Sequence, residues 1–485
     1  MIQLGRRDFL GGFAALMGAG GCRSLGLGGE DPKLVFGVIS DIHITTPDSA
    51  ETFRRALEYF RDRKADAVVV AGDLSDWGLM SGLKYVAAAW ESVFPGGRAP
   101  DGRKVEKLFC TGNHDYDGYW YGDMTLDMHV QGYSEEEALS ALGMKACWEE
   151  AFGEPFAPVR RRTVKGYDFI SAEWKEGKGW AKESNEWFEK NAASLDPKKP
   201  FFYFTHYPLG NTTSASRRAN GEAYPEIEAF KSMPNAVAFS GHCHWTLNDE
   251  RSIWQDGYTA IAVPSMSYTS IPGGYENGSD KRNGTSTRAL PVLPARATLR
   301  EAQGYLVSVH EGWMEIERRD FTEGVEAAPP WIVTPPAGAE SRHAFGTSKK
   351  RTPVPQFPEG ATVKTCTRNF TTRGDKWTIM VMMEFPAAKA RKGRVFDYEV
   401  RAEMEDGSVA AVKRFLSPAF YRLERDEPGI LRFPFDAMDL PEHGTYHLRV
   451  YPRNCFGVPG RPISSVALES KPGKEKVLKK KGGAA

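Results

Sequence analysis

The segment KLVFGVISDIH, at residues 33–43, is typical of a buried β-strand that ends in polar residues. The next segment, residues 49–64, places apolar side chains such as Phe53 and Leu57 at helical spacing, and residues 65–74 (ADAVVVAGDL) form a second apolar run. The stretch between the two strands is long enough for one helical crossover, which is the connection that joins parallel strands. The start of the chain therefore predicts an α/β fold.

The alternation of strands and helices continues along the chain. The patterns follow one another at residues 83–94 (helix), 105–115 and 166–174 (strands), 181–195 (helix), and 199–209, 235–245 and 258–268 (strands). Residues 116–165 interrupt this order and are predicted to be an insertion, and residues 304–321 alternate in the manner of antiparallel strands. We therefore expect one α/β domain over residues 31–323.

The second part of the chain has a different composition. Residues 324–360 are rich in proline, glycine and alanine, which predicts a linker or an extended arm. Residues 361–470 contain short β-type runs without helices between them and predict a β-sandwich-like domain, followed by a disordered basic tail at residues 471–485. Cys366 and Cys455 both lie in this part, and the sequence leaves open whether they form a disulfide.

The balance of charge excludes a function that depends on a strong overall field. The chain carries 63 Lys and Arg residues against 63 Asp and Glu residues, so we predict no nucleic-acid binding. Hydrophobic residues make up 41% of the chain, which is enough for a large buried core. The oligomeric state stays open.

The N-terminus has the features of an export signal. Arg6 and Arg7 precede an apolar, Gly- and Ala-rich stretch at residues 9–21, which is too short to cross a bilayer as a helix. This segment resembles a bacterial twin-arginine export signal, and Cys22 stands where it resembles a lipoprotein processing site. We therefore expect a signal peptide over residues 1–30 and a location in the periplasm or the cell envelope. Lipidation of Cys22 and plain cleavage are both open.

Polar residues follow the ends of five apolar strands. In chain order they are Asp41, His43, Asp73, Asn113, His114, Asp115, His206, His242 and His244. In an open α/β sheet, ligands bind at the carboxyl ends of the strands. The whole chain has only 10 histidines, so their repeated appearance at this edge is hard to explain by composition. These residues are candidates for a single site.

The spacing of the candidates suggests metal binding. Residues two apart on an extended chain point the same way, so Asp41 and His43 can face one ion, as can His242 and His244. This arrangement sends Cys243 to the opposite side, and a redox role for that cysteine is the alternative. Imidazole and carboxylate ligands suit zinc, manganese or iron. The ligands outnumber the positions on one tetrahedral ion, which favours two ions that share a carboxylate.

The ordered set of motifs resembles the calcineurin-like metallophosphoesterases over roughly residues 33–320. The motifs are Asp41-x-His43, Gly72-Asp73, Gly112-Asn113-His114-Asp115, His206 and Gly241-His242-x-His244. The resemblance implies a four-layer α/β/β/α sandwich with two mixed sheets. It does not cover the C-terminal β-rich region.

The resemblance also implies a role for each residue. Asp41, His43 and His244 would hold one metal ion, Asn113, His206 and His242 the other, and Asp73 would bridge both. His114 is expected to be the catalytic proton donor or charge stabiliser, with Asp115 orienting it. The candidates for substrate binding are Asn113, His114, Tyr116 and Tyr207.

The implied activity is hydrolysis of a small phosphoester, either a diester or a monoester, by a hydroxide that bridges two divalent transition-metal ions (Mn, Fe or Zn). Asp76 stands three residues after Asp73, where purple acid phosphatases carry a tyrosine, so no tyrosinate ligand is expected. Two alternatives remain. One is a catalytically silent scaffold stabilised by metal, and the other is a pyrophosphatase acting on nucleotide-linked precursors.

Overall fold

The computed structural model describes the chain in ten stretches. They are residues 31–117, 144–174, 179–216, 222–277, 302–371, 377–391, 393–421, 429–436, 439–441 and 443–469. The predicted signal peptide with Cys22, most of the predicted insertion and the basic tail lie outside the described residues.

The α/β domain contains strands and helices in alternation. Its strands are β1 (Leu34–Ile39), β2 (Ala67–Ala71), β3 (Glu106–Cys110), β4 (Val159–Val164), β5 (Tyr167–Ala172), β6 (Phe201–Thr205), β7 (Ala236–Ser240), β8 (Ile253–Gln255), β9 (Thr259–Ala262), β10 (Gln303–Val309), β11 (Met314–Asp320) and β12 (Val325–Val333). Its helices are α1 (Glu51–Asp62), α2 (Met80–Val93), α3 (Asn113–Asp117), α4 (Met144–Phe152) and α5 (Gly179–Asn191).

The strands form two mixed six-stranded sheets. The first has the order β12–β11–β10–β1–β2–β3, with β1, β2 and β3 parallel and the other pairs antiparallel. The second has the order β4–β5–β6–β7–β9–β8, with β5, β6, β7 and β9 parallel. The predicted mixed α/β architecture is confirmed.

Three apolar cores define the layers. The core between the sheets takes alternate residues of β1 and β2, such as Phe36 and Val69, while Ile39 and Val70 face the helices outside the first sheet. Both faces of these strands are therefore buried, which explains their unbroken apolar sequence. Helices α1, α2 and α4 cover the first sheet, and α5 with Phe188 covers the second. The result is the predicted order of helices, sheet, sheet and helix.

The C-terminal domain is built from two antiparallel sheets around one core. Its strands are β13 (Lys364–Thr371), β14 (Trp377–Pro386), β15 (Asp397–Met404), β16 (Val409–Leu416), β17 (Ile430–Asp436), β18 (Thr445–Arg453), β19 (Ile463–Ser464) and β20 (Leu468–Glu469). One sheet has the order β13–β14–β17, and the other has the order β16–β15–β18–β19, with β20 also paired to β18. Phe385 and Phe433 of the first sheet pack with Tyr398 and Val450 of the second, as in a β-sandwich.

The proline-rich segment is not the plain linker that its composition predicts. Residues 325–333 form β12 at the edge of the first sheet, and α6 (Phe345–Arg351) follows. An edge strand tolerates Pro329 and Pro330, because the missing amide hydrogens fall where the ladder is already irregular. The α/β domain therefore extends past residue 323.

The cysteines and the helices add two observations. Cys366 is exposed, Cys455 is buried, and both are free, so the pairing that the sequence left open is not formed. Among the described helices, which also include α7 (Pro418–Tyr421), none is long and apolar enough to cross a membrane.

Candidate metal centre

The predicted ligands lie on loops at the carboxyl ends of strands from both sheets. Asp41 and Asp73 follow β1 and β2 of the first sheet, and His206 and His244 follow β6 and β7 of the second. The parallel direction of the strands within each sheet brings these loops to one edge. The structure thus gathers side chains that are up to two hundred residues apart in the chain.

One group of ligand atoms surrounds the carboxylate of Asp41. His244 Nε2 lies 3.0 Å from Asp41 Oδ1, and His43 Nε2 lies 3.4 Å from His244 Nε2. Asp41, His43, Asp73 and His244 each offer one ligand atom, and these four atoms all lie within 4.8 Å of one another. All four residues are buried. Such a set of two carboxylates and two imidazoles is suited to one transition-metal ion.

A second group lies on the other side of Asp73. His206 Nε2 is 2.9 Å from Asn113 Oδ1 and 3.2 Å from Asp73 Oδ2, while the same Asp73 oxygen is 3.7 Å from His43 Nε2. The ring of His242 stands 5.1 Å from the ring of His206. Asp73 Oδ2 therefore lies between the two groups, where one oxygen can serve both.

The outer nitrogens of three histidines are already engaged. Nδ1 of His43 faces Asp76 Oδ1 at 2.8 Å, and Nδ1 of His206 and of His244 each face a backbone carbonyl at 3.0 Å. A carbonyl oxygen only accepts, so His206 and His244 donate from Nδ1 and turn Nε2 toward the carboxylates. This arrangement is the usual support of metal-bound histidine. The donor set therefore fits metal ions.

The electrostatics of the site favour added positive charge. Burial by itself would raise the pKa of Asp41, but His244 and its hydrogen bond lower it to about 2. Burial likewise opposes a charge on His206, yet Asp73 raises the pKa of this imidazole to about 9. Burial and the neighbouring His206 lower the pKa of His242 to about 3, which keeps the His242 ring neutral and able to bind a cation. The positive charge of the histidines therefore balances only part of the negative charge of Asp41 and Asp73.

The backbone at the site is strained. Five predicted ligands have a positive φ: Asp41 at 53°, His43 at 45°, Asp73 at 52°, His242 at 71° and His244 at 53°. A non-glycine residue in this region costs of order 1 kcal/mol or more, and such residues concentrate at functional sites. The predicted same-side geometry of Asp41 and His43 is therefore found, but it arises from left-handed turns and not from an extended chain.

The glycines before the ligands are required by close packing. A Cβ on Gly72 would lie 2.5 Å from the His206 ring, and one on Gly112 would overlap the carboxylate of Asp73. One on Gly241 would overlap Ser40. Each Gly-Asp, Gly-Asn or Gly-His pair thus lets a neighbouring loop pass directly over the strand end.

The predicted partner of His114 is corrected by the structure. Both carboxylate oxygens of Asp115 accept backbone amide hydrogens, from Leu74 at 3.1 Å, Ser75 at 2.8 Å and Gly112 at 2.8 Å. Asp115 is fully buried under the loops and holds their shape, since a carboxylate is a pure acceptor. It does not orient the His114 ring.

Asp76 contacts the His114 ring instead. His114 Nδ1 lies 2.9 Å from the Asp76 carbonyl and 3.2 Å from its carboxylate, which also contacts His43. Burial opposes a charge on His114, but Asp76 and Asp73 raise its pKa to about 9. Asp76 is the residue that sequence reasoning missed, although its place three residues after Asp73 was the signal available.

Aromatic rings line one side of the metal centre. Tyr116 and Tyr207, both predicted to bind substrate, are linked by Trp174, with ring separations of 5.1 Å and 6.2 Å. Tyr207 also stands 4.3 Å from the His242 ring, and Tyr224 stands 5.4 Å from Tyr207. We call Tyr116, Trp174, Tyr207 and Tyr224 the aromatic wall. Trp174 carried no recognisable sequence signal.

Cys243 lies between His242 and His244 without a redox partner nearby. Its Sγ faces the Ala215 carbonyl at 3.3 Å, and the described cysteines are all free. Burial raises the pKa of the Cys243 thiol to about 12, so the reactive thiolate is suppressed. The structure favours the interpretation of this cysteine as a packing residue.

The fold and the site together define a metal-dependent phosphoester hydrolase. Residues 34–245 match the calcineurin-like phosphoesterase family model. No curated protein was found to match the chain.

Solved structures with a similar fold come from several sources. A dimetal phosphatase from Danio rerio is 12% identical and has a TM-score of 0.37, with 63% of this chain and 99% of that chain covered. The purple acid phosphatase PPD1 from yellow lupin seeds is 15% identical and has a TM-score of 0.38, covering 62% of this chain and 53% of that chain. A novel archaeal phosphodiesterase is 12% identical, with a TM-score of 0.26 and coverage of 59% and 98%.

Proposed function

We propose that this protein hydrolyses a small phosphoester at a centre of two divalent transition-metal ions. The observation that supports this proposal best is the position of Asp73 Oδ2, 3.7 Å from His43 Nε2 and 3.2 Å from His206 Nε2. A carboxylate oxygen between two sets of imidazole and oxygen donors is the geometry expected of a bridging ligand. Two ions so placed would clamp the phosphate, stabilise the attacking and leaving oxygens and lower the pKa of a water.

Each ion would have its own protein ligands. Asp41, His43 and His244 would hold one, and Asn113, His206 and His242 would hold the other. Asn113 is a neutral ligand, so the second position keeps more positive charge for an anionic substrate. The backbone amide of His242 also donates to Asp41 at 3.0 Å, which ties the two sets together.

His114 is proposed as the group that serves the leaving oxygen. Its main-chain amide donates to Asp73 Oδ1 at 2.9 Å, so the backbone of His114 is held beside the proposed bridging carboxylate. With a pKa of about 9, the ring holds a proton at neutral pH. A proton donor at this place would neutralise the alkoxide or phenoxide that departs.

The aromatic wall is proposed to receive the organic part of the substrate. Tyr207 borders His242, and the wall continues through Trp174 to Tyr116, which directly follows the Asn113–Asp115 motif. A flat apolar group such as an aryl ring or a base would stack there. In this proposal a substituent of the phosphoester, and not only the phosphate, would contact the protein.

A substrate panel on metal-defined protein tests the proposal. The full chain is stripped with a chelator, reloaded with Mn, Fe or Zn, and assayed on p-nitrophenyl phosphate, bis(p-nitrophenyl) phosphate and a nucleotide sugar. We expect hydrolysis only after reloading, and the panel then separates monoester, diester and pyrophosphate cleavage. Two ions bound without any hydrolysis would favour the silent scaffold, and hydrolysis by the stripped protein would contradict the metal mechanism.

We also propose that the protein is exported from the cytoplasm before it acts as a hydrolase. This proposal rests on the sequence of residues 1–30 alone. Replacement of Arg6 and Arg7 by lysine should retain the protein in the cytoplasm if the twin-arginine route is used. Metabolic labelling with a fatty acid, compared with a Cys22→Ser variant, separates lipidation from plain cleavage. Unchanged export of the twin-lysine variant would refute the route.

A further inference from the structure

Two segments run from the metal centre to the C-terminal domain. One is residues 244–251, which begins at His244 after β7, and the other is residues 264–277, which follows β9. The family match ends at residue 245, so neither the second segment nor the C-terminal domain is covered by it. Both segments contact His244 or start from it, and both end against the β-sandwich.

The segment at residues 264–277 holds His244 at its near end. The Tyr268 carbonyl accepts the hydrogen of His244 Nδ1 at 3.0 Å, and the Tyr268 ring stands 4.1 Å from the His244 ring. The Ser270 amide donates to the His244 carbonyl at 2.8 Å. The segment therefore fixes both the main chain and the ring tautomer of one predicted ligand.

The far end of the same segment is fastened to β16. The side chain of Asn277 donates to the Leu416 carbonyl at 3.0 Å and accepts from the Leu416 amide at 2.7 Å. The Glu276 amide donates to the Arg414 carbonyl at 2.8 Å. Since β16 is an edge strand of its sheet, its outer backbone groups are open to these hydrogen bonds.

The shorter segment makes a second attachment. Asn248 Nδ2 donates to the Phe420 carbonyl at 3.0 Å, and the Arg251 guanidinium lies 4.7 Å from the centre of the Phe396 ring. A small apolar core joins the two parts and contains Ile271 with Phe396, Leu416, Phe420 and Cys455. The contact is therefore both polar and apolar, and both attached segments follow His244 in the chain.

The second group of ligands depends on different supports. His206 Nδ1 bonds to the Ala71 carbonyl on β2, and Asn113 lies at the start of α3. Both supports belong to the α/β domain itself. Loosening of the C-terminal contact should therefore reach His244 and spare the His206 side.

We propose that the C-terminal domain positions His244 and thereby sets the affinity of the metal site formed by Asp41, His43 and His244. Asn277 is the positioning residue, because its two hydrogen bonds dock the segment that supports the imidazole. This inference rests on the proposed two-metal function. It gives the β-sandwich a role in the metal centre without any direct contact between the sandwich and substrate.

The test uses the full-length protein with Asn277→Ala. In the metal-free protein, hydrogen exchange of residues 264–277 should become faster, because both attachments to Leu416 are lost. After loading and dialysis against a weak chelator, the metal content should fall from about two ions to about one per chain, with affinity weakened about tenfold. Excess metal should restore the second ion, as mass action requires.

A second variant and a control make the test selective. Asn248→Ala should give the same loss of one ion through the other segment, and it serves if Asn277→Ala does not fold. Asn454→Ala is the matched control, since this buried asparagine bonds to Thr352, Phe456 and Val458 within and beside the C-terminal domain. It should lower thermal stability while both ions stay bound.

The possible outcomes separate the two proposals. The positioning role would be overturned if Asn277→Ala and Asn248→Ala both left hydrogen exchange unchanged and retained two ions. It would also be overturned if Asn454→Ala lost as much metal as these two variants. A wild-type protein that binds no ion would overturn the proposed function instead. The exchange data would still report whether the segment is docked by Asn277.

Discussion

Two of the places where the described residues bury carboxylates differ in the side chains that face those carboxylates. In the C-terminal domain, Arg453 donates to Asp397 at 2.7 Å and to Glu399 at 2.6 Å. At the metal centre, the described partners of Asp41 and Asp73 are imidazoles and backbone amides, with no lysine or arginine among them. A buried charge is costly unless it is paired, so the kind of partner matters.

The difference separates a structural cluster from a functional one. The Arg453 cluster is complete, and its charges compensate one another within the protein. The metal centre combines buried carboxylates, imidazole nitrogens that face them and strained backbone, three features suited to the binding of metal ions. A buried aspartate is therefore part of a structural ion pair in the C-terminal domain and of a candidate metal site in the α/β domain.

The largest effect is expected from Asp73→Asn. An amide cannot bridge two cations, so the variant should lose at least one ion and about a thousandfold or more of its hydrolytic rate. Metal content and turnover of bis(p-nitrophenyl) phosphate measure this. Near-normal activity at full metal content would refute the bridging role of Asp73.

The matching change in the other cluster is Arg453→Met. It leaves Asp397 buried without its partner, which should lower the free energy of unfolding by about 3–5 kcal/mol. Thermal unfolding measures the loss. Metal content per folded chain, determined well below the new midpoint, should stay at the wild-type level. If both clusters responded alike, the distinction between them would fail.

Asp76→Asn and Asp115→Asn should separate the role that the sequence assigned to Asp115, orientation of His114, from the role that its contacts with the loops indicate. The Asp76 variant should lower turnover about 10- to 100-fold with little change in stability, because the His114 ring loses its charged partner. The Asp115 variant should lower the free energy of unfolding by about 1–3 kcal/mol, because an asparagine side chain offers one acceptor oxygen where three backbone amides now share two. The reverse pattern would restore Asp115 as the orienting residue.

The metal-free protein should become less stable as pH rises. The folded pKa of His206 is about 9, above its ordinary value of 6.5, so its stabilising contribution is complete below about pH 6.5 and is lost toward pH 9. Metal affinity should rise over the same window, since ions and protons compete for this nitrogen. Thermal melts and metal titrations at several pH values test the sign. A metal-free protein that is stabilised between pH 6.5 and 9 would contradict it.

The smallest effect is expected at the aromatic wall. Trp174→Leu should raise KM for bis(p-nitrophenyl) phosphate about three- to tenfold, which is the usual worth of one aromatic contact. Methyl p-nitrophenyl phosphate has the same leaving group and serves as the control substrate. Equal effects on both substrates would show that the wall does not contact the second aryl group.

Much of the fold was predictable because local patterns and burial agree. The apolar run at residues 33–39 is buried on both faces in β1, and the helical spacing of Phe53 and Leu57 is found in α1. The proline-rich composition of residues 324–333 misled, because an edge strand accepts prolines that a central strand would reject. Composition describes a segment alone and does not reveal which neighbour it pairs with.

The sequence by itself determined the chemistry: the types of ligand, their order and the strand ends that carry them. Only the tertiary structure decided which residues hold the ligands and the proposed catalytic histidine in place. Asp76 contacts His114, Tyr268 contacts His244 and Asn277 contacts Leu416, and each pair is far apart in the chain. The residues of one ligand motif are close together in the sequence, because a single loop must present their side chains to the same site. Supporting contacts are made between loops, and main-chain carbonyls such as that of Tyr268 leave no trace in the residue types.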